Sequence, residues 1–448
     1  MRYDLVIRNG MVVTPNGIEA IDIGVQDGRI AALDTLAQAD AGEIFDAKGL
    51  TVLPGVIDTQ VHFREPGLEH KEDLATGTAA AAMGGVTAVF EMPNTKPSTA
   101  TLAELQDKVT RATGRAHCDF AFYVGATAEN VEQLPELELQ PGCAGVKLFM
   151  GASTGDLLVA DDATLERVLR HGKRRMAVHC EDEYRMRERK HLTEVSDATP
   201  HLHPEWRDAE SALIATQRLL RLARRVGRRV HVLHVTTAQE MAWLAGQKDI
   251  ATVETTPQHL TLAAPDCYDR LGTYAQMNPP IRSAEHRAAL WEAVRNGVVD
   301  VIGSDHAPHT KEEKAKPYPQ SPSGMPGVQT LLPLLLDHMN QGRLSLQRLI
   351  DLTSAGAQRV FGLLGKGRIA LGYDADFTLV DLKAKRVIEE SWLKSKCGWS
   401  PFTGMSVTGW PMATIIRGRT AMRDGELGPA IGQPLRFGES LGPGGDHA

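Results

Sequence analysis

The sequence predicts an α/β fold: a (β/α)8 barrel of the TIM type with a small β-sandwich domain built from both chain ends. Three observations predict it. Eight apolar, strand-like runs recur through the middle of the chain, helical stretches separate many of them, and short strand-and-turn patterns occupy both ends. The eight runs are "LPGVIDTQVHF", "GVTAVFEMP", "DFAFYVGAT", "AGVKLFMG", "RMAVHCED", "VHVLHVTT", "IATVETTPQ" and "VVDVIGSDHAP". Stretches such as "HKEDLATGTAAAAMG", "DATLERVLRHGK" and "AESALIATQRLLRLARRVG" lie between them. Buried parallel strands alternating with helices specify a barrel when there are eight of them.

The first fifty or so residues read as short strands joined by Asn9-Gly10, Asn16-Gly17 and Asp27-Gly28, strong hairpin signals. The pattern returns in "ADFTLVDL", "KRVIEESW" and "MATIIRGRTAMRDGEL". Residues 1–52 and 376–435 are therefore expected to form one β domain, 53–375 the barrel, and 436–448 a flexible tail.

Composition excludes several function classes. The 448 residues are 42% hydrophobic, enough for a large core, and 49 Lys and Arg against 56 Asp and Glu give a net charge of −7. That balance argues against a nucleic-acid or anionic-membrane partner. The one dense basic run, "RLLRLARRVGRR" at 218–229, has helical spacing and reads as a solvated helix face rather than a phosphate-binding patch. Cys118, Cys143, Cys180, Cys267 and Cys397 include no C-x-x-C pair and suit a reduced compartment. The N-terminus lacks a signal-peptide core, and no stretch approaches the ~20 apolar residues of a membrane helix. A cytoplasmic protein is expected.

The polar residues are placed more tellingly. His62 and Arg64 end the first run, Asn94 follows the second, and Lys147 lies in the fourth. His179 ends the fifth, His234 the sixth and Asp305 the eighth. A single histidine at a strand end is ordinarily a hydrogen-bonded core residue, and a single lysine in a strand snorkels outward. Seven such residues, on six strands and on the rim that carries the active site in barrels, point instead to a site. His62, His179, His234 and Asp305 form a ligand set suited to Zn²⁺ or a similar divalent ion. Lys147 fits only if burial beside a metal leaves its amine neutral. Such an amine takes up CO2 to form a carbamate whose two oxygens can bridge two ions. The alternative is that Lys147 pairs with a carboxylate.

The pattern resembles the amidohydrolase superfamily, and within it the cyclic-amidohydrolase group of dihydroorotases, allantoinases and dihydropyrimidinases. The likeness spans nearly the entire chain, including "KGRIALGYDADFTLVDL" where the barrel gives way to the β domain. It implies a buried ion on His62 and Asp305, a more exposed one on His179 and His234, and N6-carboxylated Lys147 bridging them. Asp305 would be the catalytic general base and then general acid. One or two zinc ions, a small-molecule substrate and a homodimer or homotetramer are implied as well.

Within the group, "HFREPG", "EMPNTKP", "QMNPPIR" and "SDHAPHTKEEK" are similar to dihydroorotase segments. Carried over, Arg64, Asn94 and His309 would bind the substrate carboxylate and Asn278 the ring. The expected reaction is reversible hydrolysis of the ring amide of dihydroorotate to N-carbamoyl-aspartate, with allantoinase and dihydropyrimidinase as alternatives. The plain readings are an ion pair of Arg64 with Glu65 or Glu69, and turn formation beside proline for Asn94 and Asn278. His259 of "TPQHL" is expected to be structural. The Gly/Pro-rich "SPSGMPGVQ" at 321–329 reads equally as a closing loop or a surface loop.

One position departs from the family. Where most members read His-x-His in the first strand, this chain has Gln60-Val61-His62. Glutamine is a weaker, neutral oxygen ligand, so a weakened buried ion, a single-ion site, or a non-catalytic partner of aspartate transcarbamoylase all follow as readings. Retention of the other five ligand positions favours activity. The late "CGWSPF" segment resembles one found with this glutamine in a branch of dihydroorotase-like sequences, which implies that Gln60 is a subgroup trait.

Overall fold

The computed structural model describes residues 2–153 and 157–438. Eight parallel strands form one sheet in strict chain order. They are β1 (Val56–Val61), β2 (Val86–Glu91), β3 (Asp119–Gly125), β4 (Cys143–Phe149), β5 (Met176–His179), β6 (Val230–Val232), β7 (Ala251–Thr255) and β8 (Val301–Ile302). Seven fall within the apolar runs, and β4 starts one residue ahead of its run, at Cys143. A parallel bridge between Val61 and His306 joins the last strand's exit back to the first and closes the barrel. Every residue of these strands is buried. Burial on both faces is why the strands are apolar throughout rather than alternating.

Local signals start and stop the surrounding helices. The helix Leu74–Met83 carries a capping box from Asp73 and Thr76. In Ala209–Val226, Asp208 caps the N-terminus and Gly227, at φ 74°, ends it in the left-handed conformation that favours glycine. The basic run on this second helix is largely neutralised in place. Arg218 and Arg221 pair with Asp162, Arg224 with Asp249, Arg225 with Glu166 and Arg228 with Glu138.

The two chain ends do meet. A four-stranded sheet is drawn from residues 3–46, and a seven-stranded sheet interleaves 11–19 and 51–54 with strands between Phe377 and Leu427. Thr51–Pro54 runs antiparallel to Phe377–Val380, which sets the register between the ends. Leu5, Ile23, Val52, Phe377 and Ile415 share the core between the two sheets. Of the segment 436–448, Phe437 is buried and bridges to Leu363, and 439–448 lie outside the described residues. All five cysteines are buried and free. Among the described residues no helix is long and apolar enough to cross a membrane.

Candidate metal centre and active site

Strand ends on the C-terminal side of the barrel deliver six polar side chains to one small cavity: Gln60, His62, Lys147, His179, His234 and Asp305. Its volume is only about 20 Å³. Asn278, Ser153, Ser323 and Gly324 form the side facing a wider cavity of about 570 Å³, which shares the first three of these residues. Two of the six hold left-handed backbone, His234 at φ 38° and Asp305 at φ 46°, and nearby Arg64 does the same at φ 65°. Strain in non-glycine residues is costly and collects at functional sites.

The imidazoles form two pairs. His62 Nδ1 donates to Asn94 Oδ1 at 2.8 Å, which leaves its Nε2 facing Asp305 Oδ1 at 3.1 Å. His179 Nε2 donates to Glu181 Oε2 at 2.8 Å, which leaves its Nδ1 facing His234 Nε2 at 3.0 Å. Burial lowers the pKa of all three histidines, that of His234 furthest, so they are neutral ligands near pH 7. Burial pushes the Glu181 carboxyl up, but Arg207 and His179 outweigh it and hold it well below the usual range. Glu181 thereby stays an anion that orients His179.

Among the described residues Lys147 has no carboxylate partner. Its Nζ is buried, makes no hydrogen bond and lies 4.2 Å from the Phe149 ring centroid. Burial lowers its pKa to about 7. Gln60 Nε2 donates to Asp305 Oδ1 at 2.9 Å, while its Oε1 is a buried acceptor without a donor. Among the described residues no three His, Cys, Asp or Glu side chains converge as a complete metal site. Imidazoles, a carboxylate and a buried, unpartnered amine brought to the same cavity nevertheless fit a divalent ion.

The other sequence-predicted residues are placed differently. Arg64, Asn94 and His309 are not in the cavity lining. Arg64 is 2% exposed, donates from Nε to Pro308 O at 3.1 Å and approaches His309 Nε2 at 3.4 Å. Glu65 is not its partner, being bound by Arg115 and Arg111. Among the described residues no carboxylate comes within ion-pair distance of Arg64. Burial lowers its pKa to about 10. Asn278 sits at the opening, its Oδ1 2.9 Å from His203 Nε2. His259 bonds to Pro279 O and Thr256 Oγ1, away from the lining. The 321–329 loop reaches the site through Ser323 and Gly324, and Ser323 O accepts from His309 Nε2 at 3.0 Å. Trp399 of the "CGWSPF" segment donates from Nε1 to His309 O at 2.8 Å, so that segment braces the His309 loop.

Asp58 ties β1 to β8 by accepting from Ser304 N at 2.9 Å. Sequence reasoning did not single out Glu181, Arg207 or His203. Glu181 stands two residues past the strand-five histidine, a spacing that was available as a signal; Arg207 and His203 carry none.

A barrel with imidazoles, a carboxylate and a buried lysine at its strand ends carries the residues of a hydrolase of the metal-using kind. Residues 51–421 match the Amidohydrolase family, and the chain belongs to it. Members of this family generally depend on a metal. A dihydroorotase of Methanothermobacter thermautotrophicus is 38% identical over 412 residues, covering 91% of this chain and 92% of that protein. An allantoinase of Rubrobacter xylanophilus is also 38% identical, over 448 residues and 96% of each chain. The solved structure of the L-hydantoinase (dihydropyrimidinase) from Arthrobacter aurescens matches with a TM-score of 0.91 at 31% identity, covering 97% of this chain and 99% of that one.

Proposed function

We propose that the chain is a dihydroorotase, opening the ring amide of dihydroorotate to N-carbamoyl-aspartate and closing it in reverse. Arg64 carries the choice of substrate. A buried guanidinium with no carboxylate at ion-pair distance among the described residues, though Asp305, Glu91, Glu313 and Glu72 act on it from further away, can take an anion, and dihydroorotate brings one on its ring. Allantoin and simple hydantoins do not. His309 Nε2 lies beside it, 3.4 Å from Arg64 Nη2.

His179 and His234 on one side, His62 and Asp305 on the other, and Lys147 as its N6-carboxylate would hold zinc, which supplies an activated water and a polarised amide carbonyl. Asp305 accepts the proton of the attacking water and delivers it to the ring nitrogen as the amide bond breaks. Asn94 holds the His62 ring in one tautomer, and Glu181 does the same for His179. Asn278 stands at the opening where the ring would enter. The buried thiols suit a cytoplasmic protein, and a homodimer or homotetramer is the assembly proposed.

The allantoinase reading rests on the Rubrobacter relative, which is as similar as the first dihydroorotase and spans both chains. Turnover of dihydroorotate, allantoin and hydantoin by protein supplied with zinc and bicarbonate separates the two. Dihydroorotate is expected to have the highest kcat/KM. Arg64→Gln should raise its KM roughly a hundredfold, the loss of charge-assisted hydrogen bonds worth about 3 kcal/mol. Faster turnover of allantoin, or an unchanged KM in Arg64→Gln, would overturn the proposal.

A further inference from the structure

We propose that Lys71 is a positioning residue: it holds His309 as the tautomer with its proton on Nε2, and that N–H passes from Ser323 O to the substrate carboxylate when the ring binds. The second half rests on the dihydroorotase reading; the first does not. Lys71 comes from the loop between β1 and the helix Leu74–Met83. His309 comes from the segment after β8, just before the short helix Lys311–Lys314. His309 is 2% exposed and its backbone oxygen is held by Trp399 Nε1, which leaves the ring little room to turn.

Burial lowers the His309 pKa to about 3, against the pull of Glu313, so the ring is neutral near pH 7 and carries a single proton. Its two nitrogens face different chemistry. Nδ1 lies 3.1 Å from Lys71 Nζ and 3.6 Å from Glu313 Oε2, while Nε2 lies 3.0 Å from Ser323 O and 3.4 Å from Arg64 Nη2. Burial and Arg64 pull the Lys71 pKa down, and Glu313 Oε1, 3.2 Å from Nζ, resists them in favour of the ammonium. An ammonium has donors and no acceptor. With the proton on Nε2, the two shorter contacts are both hydrogen bonds: Lys71 donates to Nδ1, and Nε2 donates to Ser323 O. With the proton on Nδ1 both are lost, and the contacts that replace them, at 3.6 and 3.4 Å, are beyond or at the limit of hydrogen-bond reach. The Nε2 proton and Arg64 Nη2 then stand as two donors side by side, a pair that suits the two oxygens of a carboxylate. Ser323 O takes the first of them. A carboxylate bound at Arg64 competes for the same N–H, which ties substrate binding to release of Ser323 in the 321–329 loop.

Heteronuclear NMR of the histidine ring nitrogens in the full chain tests the tautomer without substrate, with the His309 signals assigned by their loss in His309→Gln. The unmodified protein is expected to show a protonated Nε2 and a bare Nδ1. Lys71→Met should move His309 toward the Nδ1–H form, and Lys71→Arg, which keeps a cationic donor, should restore the first pattern. KM for dihydroorotate should rise roughly tenfold in Lys71→Met, about the worth of one hydrogen bond to a charged group, with kcat changing far less. Lys71→Arg should recover most of that loss. A bare Nε2 in the unmodified protein, or the same tautomer in Lys71→Met, would overturn the role of Lys71. A tautomer that follows Lys71 while KM stays constant would overturn the transfer to the carboxylate. The expected tautomer shift in a chain that does not turn over dihydroorotate would overturn the dihydroorotase reading and leave the role of Lys71 standing.

Discussion

Gln60 and His62 converge on one oxygen: the Gln60 amide donates to Asp305 Oδ1 at 2.9 Å, and His62 Nε2 stands 3.1 Å from the same atom. The glutamine therefore does more than withhold an imidazole. Its N–H occupies the carboxylate that would serve the buried ion, while its own acceptor is left without a donor. The His179–His234 pair has no such competitor. We expect protein loaded with excess zinc to retain about one ion per chain after desalting, and the Gln60→His variant to retain close to two, because imidazole is the stronger ligand. Equal metal content in the two proteins would show that Gln60 does not limit the buried site.

Much of this was legible in the sequence, and the reasons are physical. Strands buried on both faces must be apolar throughout, so eight of them stand out as runs, and a polar residue at the end of such a run is conspicuous. Direction is not written there. Arg64, Asn94 and His309 follow their strands as predicted, yet the fold turns them behind the cavity lining. Glu181 and Arg207 act through a contact 26 residues apart in sequence, and His203 lies in a helical turn that no strand pattern marks.

Lys147 leads to a second prediction. Its buried amine, without partner and lowered by burial to about 7, is poised for CO2 rather than for an ion pair. Protein prepared without bicarbonate should be less active and regain activity when bicarbonate and zinc are added together. Native mass spectrometry should show an adduct of CO2 that is absent from Lys147→Met. An active protein with no adduct would exclude the carbamate.

Glu181 joins His179 to Arg207 and fixes which imidazole nitrogen faces the cavity. Partners that orient a metal-binding histidine typically contribute 10- to 100-fold in metal affinity, and a loss of about that size is expected for Glu181→Gln. KM for dihydroorotate in fully metal-loaded protein should change little, because Glu181 does not line the cavity. Unaltered zinc affinity would reduce the contact to a structural one.

His203 gives a pH dependence. Its Nε2 lies 3.0 Å from Met277 O and 2.9 Å from Asn278 Oδ1, so the neutral ring already donates to two acceptors. Burial, followed by Arg207, lowers its pKa to about 3. A depressed histidine contributes stability that is full above its unfolded pKa of about 6.5 and is lost as pH falls toward the folded value. The expected loss is about 1.4 kcal/mol per pH unit over that window. Chemical unfolding at pH 7.5, 6 and 5 should show a shallower acid loss in His203→Gln than in the unmodified chain. Parallel slopes would mean that His203 is not the titrating group.

The last prediction concerns access. A cavity of about 20 Å³ holds roughly one water and excludes a six-membered ring. Ser323, which also lines the 570 Å³ cavity outside, and its neighbour Gly324 are part of the lining, and we expect substrate to enter when they move. Gly324 suits the closed position for two reasons. Its φ of 142° disfavours any side chain, and an added Cβ would stand 2.4 Å from Ala307 O and 3.0 Å from the His309 ring. Gly324→Ala should therefore let substrate in but hinder closure over it, lowering kcat at least tenfold with zinc content unchanged. Such a loss in kcat with a modest change in KM is the signature of a step after binding. If Gly324→Ala instead keeps its kcat, the closed arrangement is not the one in which the ring amide is broken.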